Sequence, residues 1–288
     1  MKHTAKAMDM CHGPLGKNLL LFSIPLMFSN VLQVLFNLSD VAVVGHFAGS
    51  IALGCVGSTT ILVTLTTGLL LGMSGGVNAV TARYLGAKDH TRVEKAVHSS
   101  LILCLIVGIL LLLAGFILTR PIFSLLGTKK RTDRRCGSVS DDLSVRITAL
   151  AMYNYGNAIL SAVGDTKRPL IYLAISGVIN IILNLIFVIV FHLDVAGVAL
   201  ASIISQYISA ALILQHLLHC KGEYRLDFKL IRLDRRITVQ VLCIGIPSAI
   251  QYSLFAIANL FVQSAVNTFD HVVVERELCS CQCRQHCI

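Results

Sequence analysis

The chain has 288 residues, of which 55% are apolar and 14% charged, and its mean hydropathy is +0.77. This composition excludes a soluble globular protein, because a solvated surface needs more charge, and it predicts an all-α integral membrane protein. The formal net charge of +9 does not predict a nucleic-acid partner, because the basic residues fall in alternate loops instead of on one surface.

Six apolar runs are long enough to cross ~30 Å of hydrocarbon. They are residues 19–44, 51–80, 97–118, 170–191, 195–218 and 237–269. Residues 1–17, which precede the first run, are polar and basic, whereas the loops at 46–50 and 191–194 contain no Lys or Arg. The positive-inside rule therefore predicts a multi-pass membrane protein with a cytoplasmic N-terminal segment at 1–17. Basic loops can alternate with loops free of Lys and Arg along the whole chain only if one more crossing lies between Leu118 and Gly164.

The first run returns near the end of the chain. Residues 22–47 align with residues 244–269, so that Pro25 meets Pro247. An apolar unit that recurs after several intervening helices is typical of transporters built from two similar halves. We therefore predict a six-helix lobe at 18–220, a basic cytoplasmic linker at 221–236 and the first helix of a second lobe at 237–274. Both prolines are candidate helix-bending positions, because proline removes a backbone hydrogen bond inside a helix.

Asp40 is the only acidic residue inside the six apolar runs. A carboxylate deep in a membrane helix is expensive unless it faces a cavity or a partner, so it is a candidate site for Na⁺ or a proton. The alternative is a hydrated residue near the extracellular end of the first helix.

Residues 129–146 carry nine charged residues where the missing fourth helix should enter the membrane. One interpretation is a basic regulatory loop. The other is out-of-frame sequence over residues 129–148, because suitable codons for this stretch, read one nucleotide later, encode an apolar segment. Residues 275–288 behave in the same way, so we predict an out-of-frame tail there.

Four polar side chains follow in the later helices. Asn180 and Asn184 are four residues apart and therefore share a helix face. Together with Asn157 and Ser202 they are candidates to line one cavity with Asp40. The alternative role is interhelical hydrogen bonding, worth ~0.6 kcal/mol for each group.

The tail contains four closely spaced cysteines. They are Cys279, Cys281, Cys283 and Cys287. Thiolates are soft ligands for zinc or copper, but the spacing lacks the paired C-x2-C units of common structural zinc sites. We therefore predict no metal site.

Six segments, in this order and spacing, resemble the multidrug and toxic compound extrusion (MATE) family. They are FNLSDVAVVGHFAG, GGVNAVTARYLGAKD, RPIFSLLG, NAILSAVGDTKRPL, INIILNLIFVIVF and VAGVALASIISQ. The resemblance covers residues 16–128 and 149–275. It implies a MATE-type helical bundle of two six-helix lobes that exchanges Na⁺ or H⁺ for a cationic or amphipathic small molecule. It implies a location in the inner (plasma) membrane, no enzymatic activity and no cofactor beyond the coupling ion.

The resemblance also implies a cation site in the amino-terminal lobe. Carried over position by position, its residues are Asp40, Asn157, Asn180, Asn184 and Ser202. The family often has aspartate at the position of Asn184, so a proton site with two carboxylates is in doubt here. The printed chain holds only the first helix of the second lobe, and we expect it not to transport by itself.

Two other functions stay open at this point. A lipid-linked precursor flippase of a related fold would favour several cationic residues within the spans, and the six apolar runs show none away from their ends. A membrane-anchored metal-binding protein would depend on the cysteine tail.

Overall fold

The computed structural model of the protein describes the backbone of most of the chain outside its two ends. The described residues are 15–47, 49–125, 133–191, 194–220, 224–227, 230 and 232–266, and side chains are described within 16–36, 38–40, 42–43, 64–113, 146–191, 196–220, 224–227, 230 and 232–259. This part of the chain forms seven α-helices and no strand. The helices are α1 (Leu15–Phe47), α2 (Gly49–Gly86), α3 (His90–Leu125), α4 (Asp133–Ala162), α5 (Lys167–Leu185), α6 (Asp194–His219) and α7 (Arg235–Val266), and a π-helical segment, Ile186–Val190, extends α5.

The prediction of an all-α membrane protein is confirmed. Five helices are long and apolar enough to cross a membrane by length and composition: Gly16–Asp40, His90–Leu113, Lys167–Val190, Ala196–His219 and Arg235–Asn259. Large apolar side chains are exposed along α1, α5 and α7, including Leu20, Met27, Val178 and Leu254. Such surfaces suit contact with lipid, where apolar groups need no shielding from water.

The predicted segment boundaries align with the helices as follows. Helices α1 to α6 fall within the predicted lobe at 18–220 apart from the start of α1, and α7 begins inside the predicted linker at 221–236. The division into two lobes stays a prediction. Residues 1–14, 126–132 and 267–288 lie outside the described residues, and with them lie the cysteine tail and part of the segment 129–148.

Helix α4 lies between α3 and α5, where the alternation of the loops requires the extra crossing, and it packs against α2, α3 and α6. It is not among the five described helices apolar enough to span, so the extra crossing stays a prediction. Its almost fully buried side chains include Ile147, Tyr153, Tyr155 and Ile159. The hydroxyl of Tyr155 donates to the carbonyl of Val97 on α3 at 2.7 Å. Because neighbouring helices pack around α4, its surface does not need to be apolar on every side. A search for long apolar runs in the sequence therefore detects this helix poorly.

Helices α2 and α7 form the most extensive helix pair, through glycines on α2. A Cβ added at Gly72 would overlap the backbone of Ala249, and one added at Gly76 would lie 2.5 Å from the carbonyl oxygen of Val241. Small residues let two backbones approach closely, which is how membrane helices gain packing contacts without a hydrophobic driving force. The sequence analysis did not single out these glycines.

The connection between α6 and α7 is held against α3. The hydroxyl of Ser99 donates to the carbonyl of Arg232 at 3.1 Å and accepts the backbone N–H of Asp234 at 2.9 Å. One residue earlier, Nε2 of His98 accepts the backbone N–H of Asp227 at 3.0 Å. Two adjacent buried side chains thus satisfy backbone groups of the connection, which fixes where α7 begins.

The two aligned prolines lie inside helices but in different surroundings. Pro25 is buried within α1, and its carbonyl accepts the Ser29 hydroxyl at 3.0 Å. Pro247 lies within α7 and is exposed. Serine bonding to a carbonyl one turn back favours bending, so α1 has two bend-promoting features at this point. Bending as part of a transport cycle stays a prediction.

Candidate cation site

Asp40 lies near the end of α1 and is only 8% exposed. Its two carboxylate oxygens accept hydrogen bonds from different helices. Nδ2 of Asn184 on α5 donates to Oδ1 at 2.8 Å, and the hydroxyl of Ser202 on α6 donates to Oδ2 at 2.6 Å. Bonds this short to an acceptor that can carry charge are typical of strong, charge-assisted contacts. The carboxyl group therefore joins three helices at one point.

Asn180 completes the arrangement from the preceding turn of α5. Its Oδ1 accepts Nδ2 of Asn184 at 3.2 Å, and its Nδ2 donates to the hydroxyl of Ser202 at 3.4 Å. The spacing of four residues puts both amides on the buried face of α5, which also carries Leu173 and Ser176. Asp40, Asn180, Asn184 and Ser202 thus form one connected hydrogen-bond network, which we call the Asp40 network.

Small residues on α6 allow this approach. Ser202, Ser205 and Ser209 lie on its buried side, and Ala201 is fully buried. The hydroxyl of Ser205 bonds back to the carbonyl of Ser202 at 3.0 Å, so it is satisfied within its own helix. Short side chains bring the backbone of α6 close to α5, and this places the Ser202 hydroxyl within reach of Asp40.

One atom of the Asp40 network has no partner. Both N–H bonds of the Asn184 amide go to acceptors, on Asp40 and Asn180, which turns its Oδ1 away from them. This Oδ1 is buried and accepts no hydrogen bond. A buried acceptor without a donor is uncommon, and it fits a position where a cation supplies the missing positive charge. Carboxylate, amide and hydroxyl oxygens are the ligand types that hard cations prefer.

Asn157, the remaining predicted site residue, is in a different position. It lies near the end of α4, and its Oδ1 accepts the hydroxyl of Ser161 at 3.4 Å. Within the described part of the chain, its hydrogen bond is to its own helix and not to the Asp40 network. The structure therefore brings four of the five predicted residues together, and the role of all five stays a prediction.

The sequence analysis set aside one charged residue beside this site. Arg146 on α4 interacts electrostatically with Asp40, and its Nε is buried without a hydrogen-bond acceptor. It belongs to the segment 129–148, which we interpreted as out of frame. The sequence did contain a signal for Arg146. It is the last charged residue before the apolar stretch ITALAM, which places it where a helix continues into the bundle.

Within the residues that the structure describes, no group of three His, Cys, Asp or Glu side chains is arranged to hold a metal ion. The four tail cysteines lie outside those residues. The candidate site is therefore a hydrogen-bonded carboxylate network and not a site built from soft ligands.

Comparison with known proteins gives consistent results. The sequence model of the family MatE matches residues 25–186, which is more than half of the chain. A curated relative named "Probable multidrug resistance protein YpnP", from Bacillus subtilis, is 28% identical over 93% of this chain and 60% of its own length. "Multidrug export protein MepA" from Staphylococcus saprophyticus is 25% identical over 85% of this chain and 54% of its own.

A solved structure is similar across the same range. It is described as an outward-facing conformation of a multidrug resistance MATE family transporter of the MOP superfamily. The likeness has a TM-score of 0.84 and 26% sequence identity, and it covers 93% of this chain and 59% of the other. The chain thus spans roughly three fifths of the length of the proteins that it matches.

Proposed function

Because this chain belongs to the MatE family, whose members are transporters and not enzymes, we propose that it forms part of a multidrug exporter. In this proposal a cationic or amphipathic small molecule leaves the cell in exchange for Na⁺ or H⁺ entering. The observation that carries the proposal is the Asp40 network, a buried carboxyl group shared by α1, α5 and α6. The names of the two multidrug relatives support the class of substrate.

The proposed coupling depends on what a cation does to the Asp40 network. Asn184 and Ser202 currently point N–H and O–H groups at the carboxylate. A Na⁺ ion bound there needs oxygen lone pairs, so the Ser202 hydroxyl must rotate and the Asn184 amide must turn its unpaired Oδ1 toward the carboxylate. A proton on Asp40 would likewise turn one acceptor oxygen into a donor. Either cation therefore changes the contacts that hold three helices together.

Such a change can drive transport only if the cation binds the two conformations of the transporter with different affinity. We propose that the cation binds from outside and that α1 bends near Pro25. The bending then favours the conformation that releases the drug outward. The proposed setting is the inner membrane, with the N-terminus in the cytoplasm and lipid around the outer faces of the helices.

The test is cation binding by the purified 288-residue chain in detergent. Thermal unfolding is followed in NaCl against choline chloride at matched ionic strength, and separately as the pH is lowered. A cation that binds only the folded chain raises its stability in proportion to the logarithm of its concentration. We expect stabilisation by Na⁺ or by protons in the original chain and its loss in Asp40→Asn.

Asp89→Asn is the matched control, because it makes the same chemical change in the turn between α2 and α3. It should keep the cation response of the original chain. An Asp40→Asn chain that folds and responds to both cations like the original would disprove the proposed site.

A further inference from the structure

Among the side chains that the structure describes, Arg146 is the charged group that acts electrostatically on Asp40. It is partly buried, and its Nε is shielded from solvent with no acceptor of its own. A guanidinium group in such surroundings is stabilised chiefly by a nearby negative charge, because burial alone opposes it. Among the described residues, the negative charge that acts on Arg146 is that of Asp40.

The packing of α4 on α6 explains why Arg146 is near the site. The two helices run side by side in the same direction. Gly156 on α4 leaves room for Ile213 on α6, since an added Cβ would overlap the Ile213 side chain. A short turn joins the end of α4 to α5, and at the start of α5 Nη1 of Arg168 donates to Nε2 of His216 near the end of α6 at 2.7 Å, so α4 and α6 end on the same side of the bundle.

On α4, Arg146 precedes Gly156, and on α6, Ser202 precedes Ile213 by a similar number of residues. At a rise of about 1.5 Å per residue, each lies about 15 Å from the Gly156–Ile213 contact, toward the start of its helix. They are therefore at the same level of the bundle. Ser202 donates directly to Asp40, so this register brings the α4 position of Arg146 to the level of the Asp40 network.

We propose that Arg146 is a tethered competitor of the coupling ion and sets the affinity of the Asp40 network for a cation. Its guanidinium partly neutralises Asp40 and repels a second positive charge that enters the site. The inference rests on the proposed role of Asp40 as the cation-binding residue. It adds that the site responds only to a higher ion concentration than the same network would without Arg146.

The size of the effect follows from Coulomb's law. Even at a separation of about 10 Å and an effective dielectric constant of about 20, one positive charge changes the binding of another by more than tenfold. Arg146→Gln should therefore lower the Na⁺ concentration for half-maximal stabilisation by about tenfold or more. Arg146→Lys keeps the charge and should stay close to the original chain.

The experiment is the NaCl titration of thermal stability on the purified full chain, with choline chloride at matched ionic strength. Arg92→Gln is the matched control, because it removes the same charge from an exposed position in the first turn of α3. A tenfold shift in Arg146→Gln, absent in Arg92→Gln and abolished by adding Asp40→Asn, supports the proposal.

Three other outcomes overturn it, and they are distinguishable. Equal Na⁺ responses in the original chain and Arg146→Gln, both lost with Asp40→Asn, leave the cation site standing but remove the role of Arg146. Where the chain responds to protons but not to Na⁺, the pH titration makes the same comparison, and equal midpoints in the original chain and Arg146→Gln have the same consequence. No response to either cation in any chain removes the proposed function as well.

A double-mutant cycle tests the pair without any added ion, which covers a variant that folds poorly. If Arg146 and Asp40 compensate each other, then Asp40→Asn leaves a buried cation unpaired and lowers the unfolding temperature. The double variant with Arg146→Gln should then be more stable than Asp40→Asn alone. Additive losses in the two single variants would contradict the proposal.

Discussion

The close packing of α2 on α7 predicts opposite effects for one substitution at two neighbouring glycines. A Cβ at Gly72 would overlap the backbone of Ala249 and lie 2.7 Å from the carbonyl carbon of Ser248. A Cβ at Gly75, less than one turn away on the same helix, would meet nothing within 4 Å. Gly72→Ala and Gly75→Ala therefore change the same atoms in the same helix and differ only in what the new methyl group meets.

The magnitude follows from two opposing effects. Replacing glycine by alanine inside a helix stabilises it by about 0.5–1 kcal/mol, and this gain applies at both positions. Overpacking a close contact destabilises by about 1–3 kcal/mol. At Gly72 the overlapping atoms are backbone, so no rotamer change can relieve them. We expect Gly72→Ala to be less stable than Gly75→Ala by about 1–3 kcal/mol, with Gly75→Ala at or slightly above the original chain.

The assay is unfolding in SDS, followed by far-UV circular dichroism on the three purified chains in one mild detergent. The α2–α7 pair should separate at lower SDS in Gly72→Ala. Gly76→Ala provides a second test, since its Cβ would lie 2.8 Å from the backbone nitrogen of Gly245. Equal stability of Gly72→Ala and Gly75→Ala would refute the inference that α7 packs on α2 through these glycines.

Two further predictions concern hydrogen bonds between helices. Ser202→Ala removes the 2.6 Å bond to the Asp40 carboxyl group and should lower stability in the same SDS assay by about 1.5–3 kcal/mol. Ser248→Ala, whose hydroxyl bonds only within α7, should change little, and equal losses would argue against the network. Ser99→Ala should speed tryptic cleavage between residues 224 and 236, because both of its bonds hold that connection. Ser100→Ala is the control, since its buried hydroxyl has no partner, and equal cleavage of both variants would contradict the assignment.

Prediction succeeded where a feature depends on neighbouring residues along the chain. The six apolar runs correspond to helices because a span must be apolar over about 20 consecutive residues. Loop charge, which is also a local property, predicted a further helix between α3 and α5, and α4 lies there. The four-residue spacing of Asn180 and Asn184 placed both on one buried face of α5. Each of these conclusions uses only sequence spacing.

The interpretation of the segment 129–148 depends on surroundings that sequence spacing does not give. Its charge was weighed against the general cost of charge at a helix centre, whereas the described side chains of α4, from Arg146 onward, are largely buried against other helices. The penalty for charge in a membrane depends on what surrounds the group, and neighbouring helices supply those surroundings. The out-of-frame interpretation of 129–148 and 275–288 stays a prediction, as does the position of Asn157 in the cation site.

The sequence by itself determined the membrane class, the helices at its six apolar runs, the aligned prolines and the polar residues available for a site. Tertiary structure decided which of those residues meet. Asp40 joins Asn184 and Ser202 across 144 and 162 residues of chain, and the glycines of α2 receive α7. Hydropathy and helical periodicity are local properties, but contacts between helices depend on packing and register, which small residues at the interfaces set. For that reason the sequence named Asp40, and only the folded bundle placed Arg146 beside it.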